Sequence, residues 1–127
     1  MARLTGLSVS SIEKNRQLVA RNFAVRYHCT LILKGHRSLV ASPEGRIFLN
    51  TTGNVGMATA GTGDILTGMI ASFLGQGIKP FTAATLAVKL HGKAGDTAAR
   101  IKGKVSLIAS DLLEALPEVI LKSSRQK

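Results

Sequence analysis

The least ordinary stretch of the sequence lies between residues 51 and 64 and reads Thr51-Thr52-Gly53-Asn54-Val55-Gly56-Met57-Ala58-Thr59-Ala60-Gly61-Thr62-Gly63-Asp64. Its glycines permit positive φ angles and allow a ligand to approach bare backbone N–H groups. From Asp64 to Leu74 the apolar residues recur at helical spacing, which predicts a glycine-rich loop that opens into a helix. Because a helix N-terminus has unpaired N–H donors and a partial positive charge, the stretch predicts an anion site suited to a phosphate.

Asp64 adds a carboxylate to the predicted anion site, and two interpretations of it are open. Acidic residues are common in a first helical turn, where they cap the helix. Alternatively, Asp64 is a general base that takes the proton of a hydroxyl attacking phosphorus, while the loop stabilises the charge on the transferred group. The stretch is neither a P-loop nor a dinucleotide fingerprint, since it lacks both Gly-Lys-Ser/Thr and Gly-x-Gly-x-x-Gly.

Upstream of the loop, the pattern predicts one helix and three short strands. The helix runs from Ser8 to Tyr27, with Ser8 or Ser10 as its cap, and its apolar face consists of Ile12, Val19, Phe23 and Tyr27. The strands cover residues 30–33, 38–41 and 46–50, and a turn at 43–45 predicts that the last two form a hairpin.

Downstream of the loop, the pattern predicts three helices. They cover residues 64–74, 82–99 and 106–116, and Pro117 is expected to end the last one. This order of helix, strands, loop and helices indicates an α/β fold, and 127 residues suit a single domain over residues 1–127. The predicted sheet is short of strands, so we expect the domain to be incomplete.

A second candidate site follows the first predicted strand and consists of Lys34, Gly35, His36, Arg37 and Ser38. The C-terminal ends of strands are where open α/β sheets bind ligands. Two cations, an imidazole and a hydroxyl suit a nucleotide phosphate, and a solvated basic turn is the alternative. The three histidines of the chain show no ligand spacing, so no metal site is predicted.

The composition narrows the choice of partners. Lys plus Arg is 17 and Asp plus Glu is 7, and the net charge of +10 suggests nucleic acid, a phosphorylated ligand or an acidic surface. Aromatic residues make up only 4%, which is little for a platform that stacks nucleic-acid bases. No apolar run reaches the roughly 20 residues that span a bilayer. The single cysteine, Cys29, fits a reducing compartment, and we expect a cytoplasmic protein whose Arg-rich N-terminus is a folded helix rather than a targeting segment.

Taken together, the loop and its neighbours resemble the ADP/ATP-dependent NAD(P)H-hydrate dehydratases of the ribokinase-like superfamily. The main match is the stretch from Asn54 to Gly68, and the set Gly-Thr-Gly-Asp within it suggests the superfamily by itself. Further matches, which extend the resemblance over nearly the whole chain, lie at Met1–Leu4, Leu33–Gly35, His91–Asp96 and Ala109–Pro117. The resemblance implies the C-terminal part of a ribokinase-like three-layer α/β/α fold.

For the chemistry, the resemblance implies that ADP or ATP phosphorylates the ring hydroxyl of hydrated NADH or NADPH, and that phosphate is then eliminated. Mg²⁺ is expected to arrive with the nucleotide. Asp64 is implied to act as the base and, with Asn54, to contact the substrate. The anion hole is assigned by the same resemblance to Gly61, Thr62 and Gly63. The nucleotide-binding residues are implied to be Lys34, Gly35, His36, Arg37, Ser38 and Gly63.

The chain departs from the family pattern in two residues and in length. Val55 stands where the family often has proline, and Ala60 where it often has glycine. We expect the N-terminal strands and substrate loop of the family domain to be absent, and a homo-oligomer or a complementary N-terminal portion to complete the site. The alternatives are another small-molecule kinase of the superfamily, in which Asp64 keeps its role, and a basic nucleic-acid-binding module.

Overall fold

The computed structural model describes residues 1–125, and the chain falls into two compact units, Met1–Asn50 and Thr51–Lys127. The first unit contains helices α1 (Ala2–Thr5), α2 (Val9–Lys14) and α3 (Arg16–Arg26), followed by strands β1 (Leu31–Leu33), β2 (Leu39–Ala41) and β3 (Ile47–Leu49). The second unit contains a 3₁₀ turn (Val55–Met57) and helices α4 (Thr62–Gly75), α5 (Pro80–Lys102) and α6 (Ala109–Ser124). This mixture of helices and strands confirms the predicted α/β class. Within residues 1–125, no helix is long and apolar enough to cross a membrane.

The three strands form one antiparallel sheet in the order β1-β2-β3. The predicted hairpin of β2 and β3 is confirmed, with Ala41 opposite Ile47. However, β1 and β2 also form a hairpin, with Leu33 opposite Leu39, so residues 34–38 are its connection. The rule that ligands bind at the strand ends of open parallel sheets therefore does not apply to Lys34–Ser38, and any ligand there must be recognised by the hairpin connection itself.

The prediction of a single helix over residues 8–27 is wrong, because Asn15 divides it into α2 and α3. Asn15 has φ −130° and ψ 34°, which is not helical, and its Nδ2 donates to the carbonyl of Ser11 at 3.3 Å. Such local side-chain hydrogen bonds compete with helix continuation. Of the two predicted caps, Ser8 is the one used, since its Oγ accepts from the N–H of Ser11 at 3.2 Å.

The face of α3 that packs on the sheet is made of small residues. Ala20, Ala24 and Ala41 are all fully buried in this contact. Tyr27, at the C-terminal end of the predicted apolar stripe, is 52% exposed. Small side chains let the helix approach the sheet closely, and this arrangement places the first residue of α3, Arg16, beside the β1–β2 connection.

Helix α6 runs past the point at which it was expected to end. Pro117 lies inside the helix and is exposed, while Leu112, Leu116 and Val119 are buried on the opposite side. Burying this apolar face outweighs the hydrogen bond that proline cannot donate. The predicted polar tail over residues 123–127 is helical up to Ser124, and Gln126 and Lys127 lie outside the described residues. The core of this unit is formed by Leu90, Ala94, Ala98, Leu107, Leu112, Ala115, Leu116 and Val119.

Candidate functional site

Helix α4 begins at the predicted anion site. Its N-cap is Gly61, which has φ 87° and ψ −20°, the left-handed conformation that glycine adopts without strain. The Gly61 carbonyl accepts from the N–H groups of Asp64 at 3.1 Å and Ile65 at 3.2 Å. Within residues 1–125, no acceptor meets the N–H groups of Thr62 and Gly63. These two donors are therefore available to a ligand.

Asp64 is the third residue of α4, and its side chain is exposed. The N-cap residue Gly61 has no side chain, and within residues 1–125 the Asp64 carboxylate makes no cap hydrogen bond that would support its interpretation as a simple capping residue. Within the described part of the chain, the carboxylate has no hydrogen-bond or ion-pair partner. The helix dipole favours a negative charge at this position, and the free oxygens can accept a proton or a hydrogen bond from a ligand.

Thr62 is turned into the protein and takes part in the site through its backbone. The residue is 6% exposed, and its Oγ1 lies 3.0 Å from the carbonyl of Met57 and 3.1 Å from that of Thr59. The Thr62 carbonyl lies 2.8 Å from Nε2 of buried His91 on α5. The first turn of α4 is thus attached to the preceding loop and to α5, and its orientation is fixed.

Asp96 on α5 holds the start of the glycine-rich loop. One carboxylate oxygen accepts from the N–H of Gly53 and the other from Nδ2 of Asn54, both at 2.9 Å. The Oδ1 atom of Asn54 in turn accepts from the N–H of Gly56 at 3.0 Å. Asn54, which the resemblance assigns to substrate binding, therefore has its amide bonded both to Asp96 on α5 and to the loop itself.

Two glycines allow α5 to contact this loop closely. A Cβ atom on Gly92 would lie 2.7 Å from the carbonyl carbon of Thr52 and 2.8 Å from its oxygen. A Cβ atom on Gly95 would lie 2.7 Å from Cγ of Met57. All three distances are too short for a real contact, so a side chain at position 92 requires a shift of the loop backbone, and one at position 95 requires the Met57 side chain to move.

A surface pocket of about 360 Å³ lies beside the same loop. Its lining residues are Gly53, Asn54, Asp96, Ala99, Arg100 and Lys104. Since both oxygens of Asp96 already accept from the loop, the polar groups left on the rim are chiefly the two cations, Arg100 and Lys104.

The other predicted site, Lys34–Ser38, is the exposed connection between β1 and β2. Two of its residues have positive φ angles, Gly35 at 147° and Arg37 at 56°. The hydroxyl of Ser38, a half-buried residue, donates to the carbonyl of Gly35 at 3.2 Å. Within residues 1–125, the N–H groups of Gly35, His36 and Arg37 make no hydrogen bond.

Sequence reasoning did not identify the residues that support these two segments. In the sequence, His91–Asp96 is only one of the matches of the resemblance, without a role for its side chains, and Arg16 belongs only to an Arg-rich N-terminus. Besides that match, Asp96 is marked as an acidic residue next to glycine in an alanine-rich helix. No comparable signal marks Arg16.

Comparison with known proteins gives consistent matches. The family model for NAD(P)H-hydrate dehydratase matches residues 1–118. The bifunctional NAD(P)H-hydrate repair enzyme Nnr of Moorella thermoacetica is 49% identical over 120 residues, which is 94% of this chain and 23% of that protein. The ADP-dependent (S)-NAD(P)H-hydrate dehydratase of Neisseria meningitidis is 41% identical over 115 residues, which is 90% of this chain and 39% of that protein.

A solved structure also matches this chain. The ADP/ATP-dependent NAD(P)H-hydrate dehydratase of Bacillus subtilis, co-crystallised with ATP/Mg²⁺, has a TM-score of 0.91 and 36% identity, over 95% of this chain and 44% of that chain. The fold is therefore that of the ribokinase-like proteins, as predicted. This chain spans less than half the length of the three relatives described here. It belongs to the NAD(P)H-hydrate dehydratase family.

Proposed function

We propose that this chain takes part in the nucleotide-dependent dehydration of hydrated NADH and NADPH. A phosphoryl group passes from ADP or ATP to the ring hydroxyl and releases AMP or ADP. Loss of phosphate from the ring, together with a proton from the adjacent ring carbon, then forms the double bond of NAD(P)H. Phosphate is a far better leaving group than hydroxide. The observation that carries the proposal is the start of α4, where the free N–H groups of Thr62 and Gly63 lie beside the exposed, unpartnered carboxylate of Asp64.

In this proposal each group at the start of α4 has one task. Asp64 takes the proton of the substrate hydroxyl as its oxygen attacks phosphorus. The N–H groups of Thr62 and Gly63, which have no acceptor within residues 1–125, stabilise negative charge on the transferred group. The substrate-binding role of Asn54 remains a prediction. It is supported by the chemistry of the amide, because the bonds to Asp96 and Gly56 use only one of its two N–H groups and one of the two lone pairs of its oxygen.

Mg²⁺ is proposed to arrive with the nucleotide rather than to occupy a protein cage. In residues 1–125, no group of three His, Cys, Asp or Glu side chains could hold a metal ion. Mg²⁺ usually keeps several waters and binds through one or two carboxylates together with substrate phosphates, so the nucleotide phosphates would supply a large share of its ligands. When bound, the ion neutralises charge on the phosphates.

The segment Lys34–Ser38 is proposed to bind the nucleotide, which is supported by its two cationic side chains and its free N–H groups. A second copy of the chain, or a complementary N-terminal portion, is proposed to supply the rest of the substrate site. This chain matches 39% and 44% of the length of two relatives, and the partner would correspond to the part of those proteins that is not matched. A cytoplasmic location remains a prediction.

The test is turnover of hydrated NADH by the purified chain with Mg²⁺ and ADP or ATP, followed by NADH absorbance. Asp64→Asn is expected to abolish turnover while nucleotide binding is retained. The matched control is Glu114→Gln, which removes an exposed carboxylate from α6 and is expected to leave turnover unchanged. Turnover that survives Asp64→Asn would refute the role of Asp64 as base.

Nucleotide binding by the unsubstituted chain separates the remaining outcomes. Saturable binding of ADP or ATP without turnover would support the nucleotide-binding role and indicate that another polypeptide must complete the substrate site. The absence of both turnover and nucleotide binding would refute the proposed function for this chain.

A further inference from the structure

We propose that Arg16 is a positioning residue for the segment Lys34–Ser38, holding its backbone so that the N–H groups face a nucleotide phosphate. The inference rests on the proposed nucleotide-binding role of that segment. Arg16 is the first residue of α3, and its side chain is only 17% exposed. Most of this side chain is therefore packed against the first unit, unlike that of a fully solvated surface cation.

The Arg16 guanidinium donates to three backbone carbonyls around the β1–β2 connection. Its Nη1 lies 3.0 Å from the carbonyl of His36. Its Nη2 lies 3.2 Å from the carbonyl of Leu33 and 3.5 Å from that of Lys34. One side chain thus bonds to the last residue of β1 and to the first and third residues of the connection.

These bonds determine where the N–H groups of the segment point. In a planar trans peptide, the C=O and the following N–H point in opposite directions. Because the Lys34 and His36 carbonyls face Arg16, the N–H groups of Gly35 and Arg37 are directed away from it. Neither N–H has an acceptor within residues 1–125. Successive free N–H groups in a turn with left-handed residues form a concave anion site.

Glycine at position 35 leaves room for the Arg16 guanidinium. A Cβ atom on Gly35 would lie 3.0 Å from Nη1 and 3.1 Å from Nη2 of Arg16. Gly35 also has φ 147°, so a side chain is disfavoured there both by the backbone conformation and by the guanidinium. The close approach of the bend to Arg16 therefore depends on glycine at this position.

Lysine cannot replace this arginine. The three acceptors are reached by two separate nitrogen atoms of a planar fork, whereas lysine offers a single ammonium nitrogen. Glu13 contributes little to the arrangement, since its exposed carboxylate lies 3.6 Å from Nη1. Arg16→Lys therefore keeps the charge and removes the geometry, which separates positioning from simple electrostatic attraction.

The experiment measures binding of MgADP and MgATP to the full chain by calorimetry, for the unsubstituted protein, Arg16→Lys and Arg21→Lys. Arg21 is an exposed residue of the same helix, so its substitution is the matched control. Arg16→Lys is expected to raise Kd by about tenfold or more, the effect of losing one well-formed hydrogen bond to a charged donor. Arg21→Lys is expected to leave Kd unchanged. Where turnover is measurable, Arg16→Lys should raise the KM for nucleotide and leave the KM for hydrated NADH unchanged.

Equal Kd values for Arg16→Lys and the unsubstituted chain would overturn the inference while leaving the proposed function intact. No nucleotide binding by the unsubstituted chain would overturn both. Hydrogen exchange on the unsubstituted chain provides a test that does not require a folded variant. The N–H groups of Gly35 and Arg37 should exchange rapidly in the free protein and become protected by MgADP, and unprotected groups at saturating MgADP would also overturn the inference.

Discussion

Gly92→Ala is expected to destabilise the second unit, because the added methyl group would meet backbone atoms. Its Cβ would lie 2.7 Å from the carbonyl carbon of Thr52 and 2.8 Å from the carbonyl oxygen, against the 3.4–4 Å of an ordinary contact. A backbone cannot move aside as a flexible side chain can. The loop or the helix must therefore shift by more than half an ångström to accept alanine.

The magnitude follows from two opposing effects. Overpacking of this kind costs about 1–3 kcal/mol. Alanine in a helix interior recovers about 1 kcal/mol relative to glycine. Gly68→Ala is the matched control, since Gly68 lies inside α4 with nothing within 4 Å of an added Cβ. It should gain about 0.5–1 kcal/mol, so the two variants should differ by roughly 2 kcal/mol in free energy of unfolding.

Urea denaturation followed by circular dichroism measures this difference. Gly95→Ala should fall between the other two variants, because its Cβ would meet only the flexible Met57 side chain. If Gly92→Ala proved as stable as Gly68→Ala, with the same denaturant slope, the close contact between Thr52 and α5 would be wrong.

Two further predictions concern carboxylates that hold backbone groups. In the unsubstituted chain each oxygen of Asp96 accepts one hydrogen bond from the loop at 2.9 Å. Asp96→Asn replaces one of these acceptors by an NH₂ group, which should cost about 1–3 kcal/mol of stability. Hydrogen exchange at the Gly53 N–H should accelerate in this variant, and an unchanged rate would argue against the bond. Asp111→Ala removes a buried carboxylate that accepts from the N–H of Ile108 at 2.9 Å. It should cost about 0.5–2 kcal/mol, as for other helix caps, and a Tm equal to that of the unsubstituted chain would count against this role.

Local features of the fold could be predicted from the sequence, and contacts between distant segments could not. The loop and the start of α4 follow from glycines and apolar spacing within a few residues of each other. Asn54 and Asp96, by contrast, are 42 residues apart, and no local pattern links them. The contact of Arg16 with His36, 20 residues away, is of the same kind.

The errors in the helices have a related cause. Pro117 is a helix-ending residue by local rules, but α6 continues because its next apolar turn is buried in the core. Asn15 lies inside an apparently continuous helical pattern, and it ends α2 through a local hydrogen bond that composition does not reveal. The candidate site residues at 34–38 and 61–64 were selected from the sequence, whereas the side chains that support them came only from the structure.

The contacts of α5 with the glycine-rich loop restrict where insertions and deletions can be accommodated. His91, Gly92, Gly95 and Asp96 all face the loop or the first turn of α4. One residue inserted between positions 92 and 95 would rotate Gly95 and Asp96 by about 100° relative to Gly92 and separate them from their partners. A residue added to the loop between Thr52 and Met57 would create the same mismatch from the other side. Viable length variants should therefore carry their changes outside both segments, so that the spacing between the loop contacts is preserved even where the residues differ.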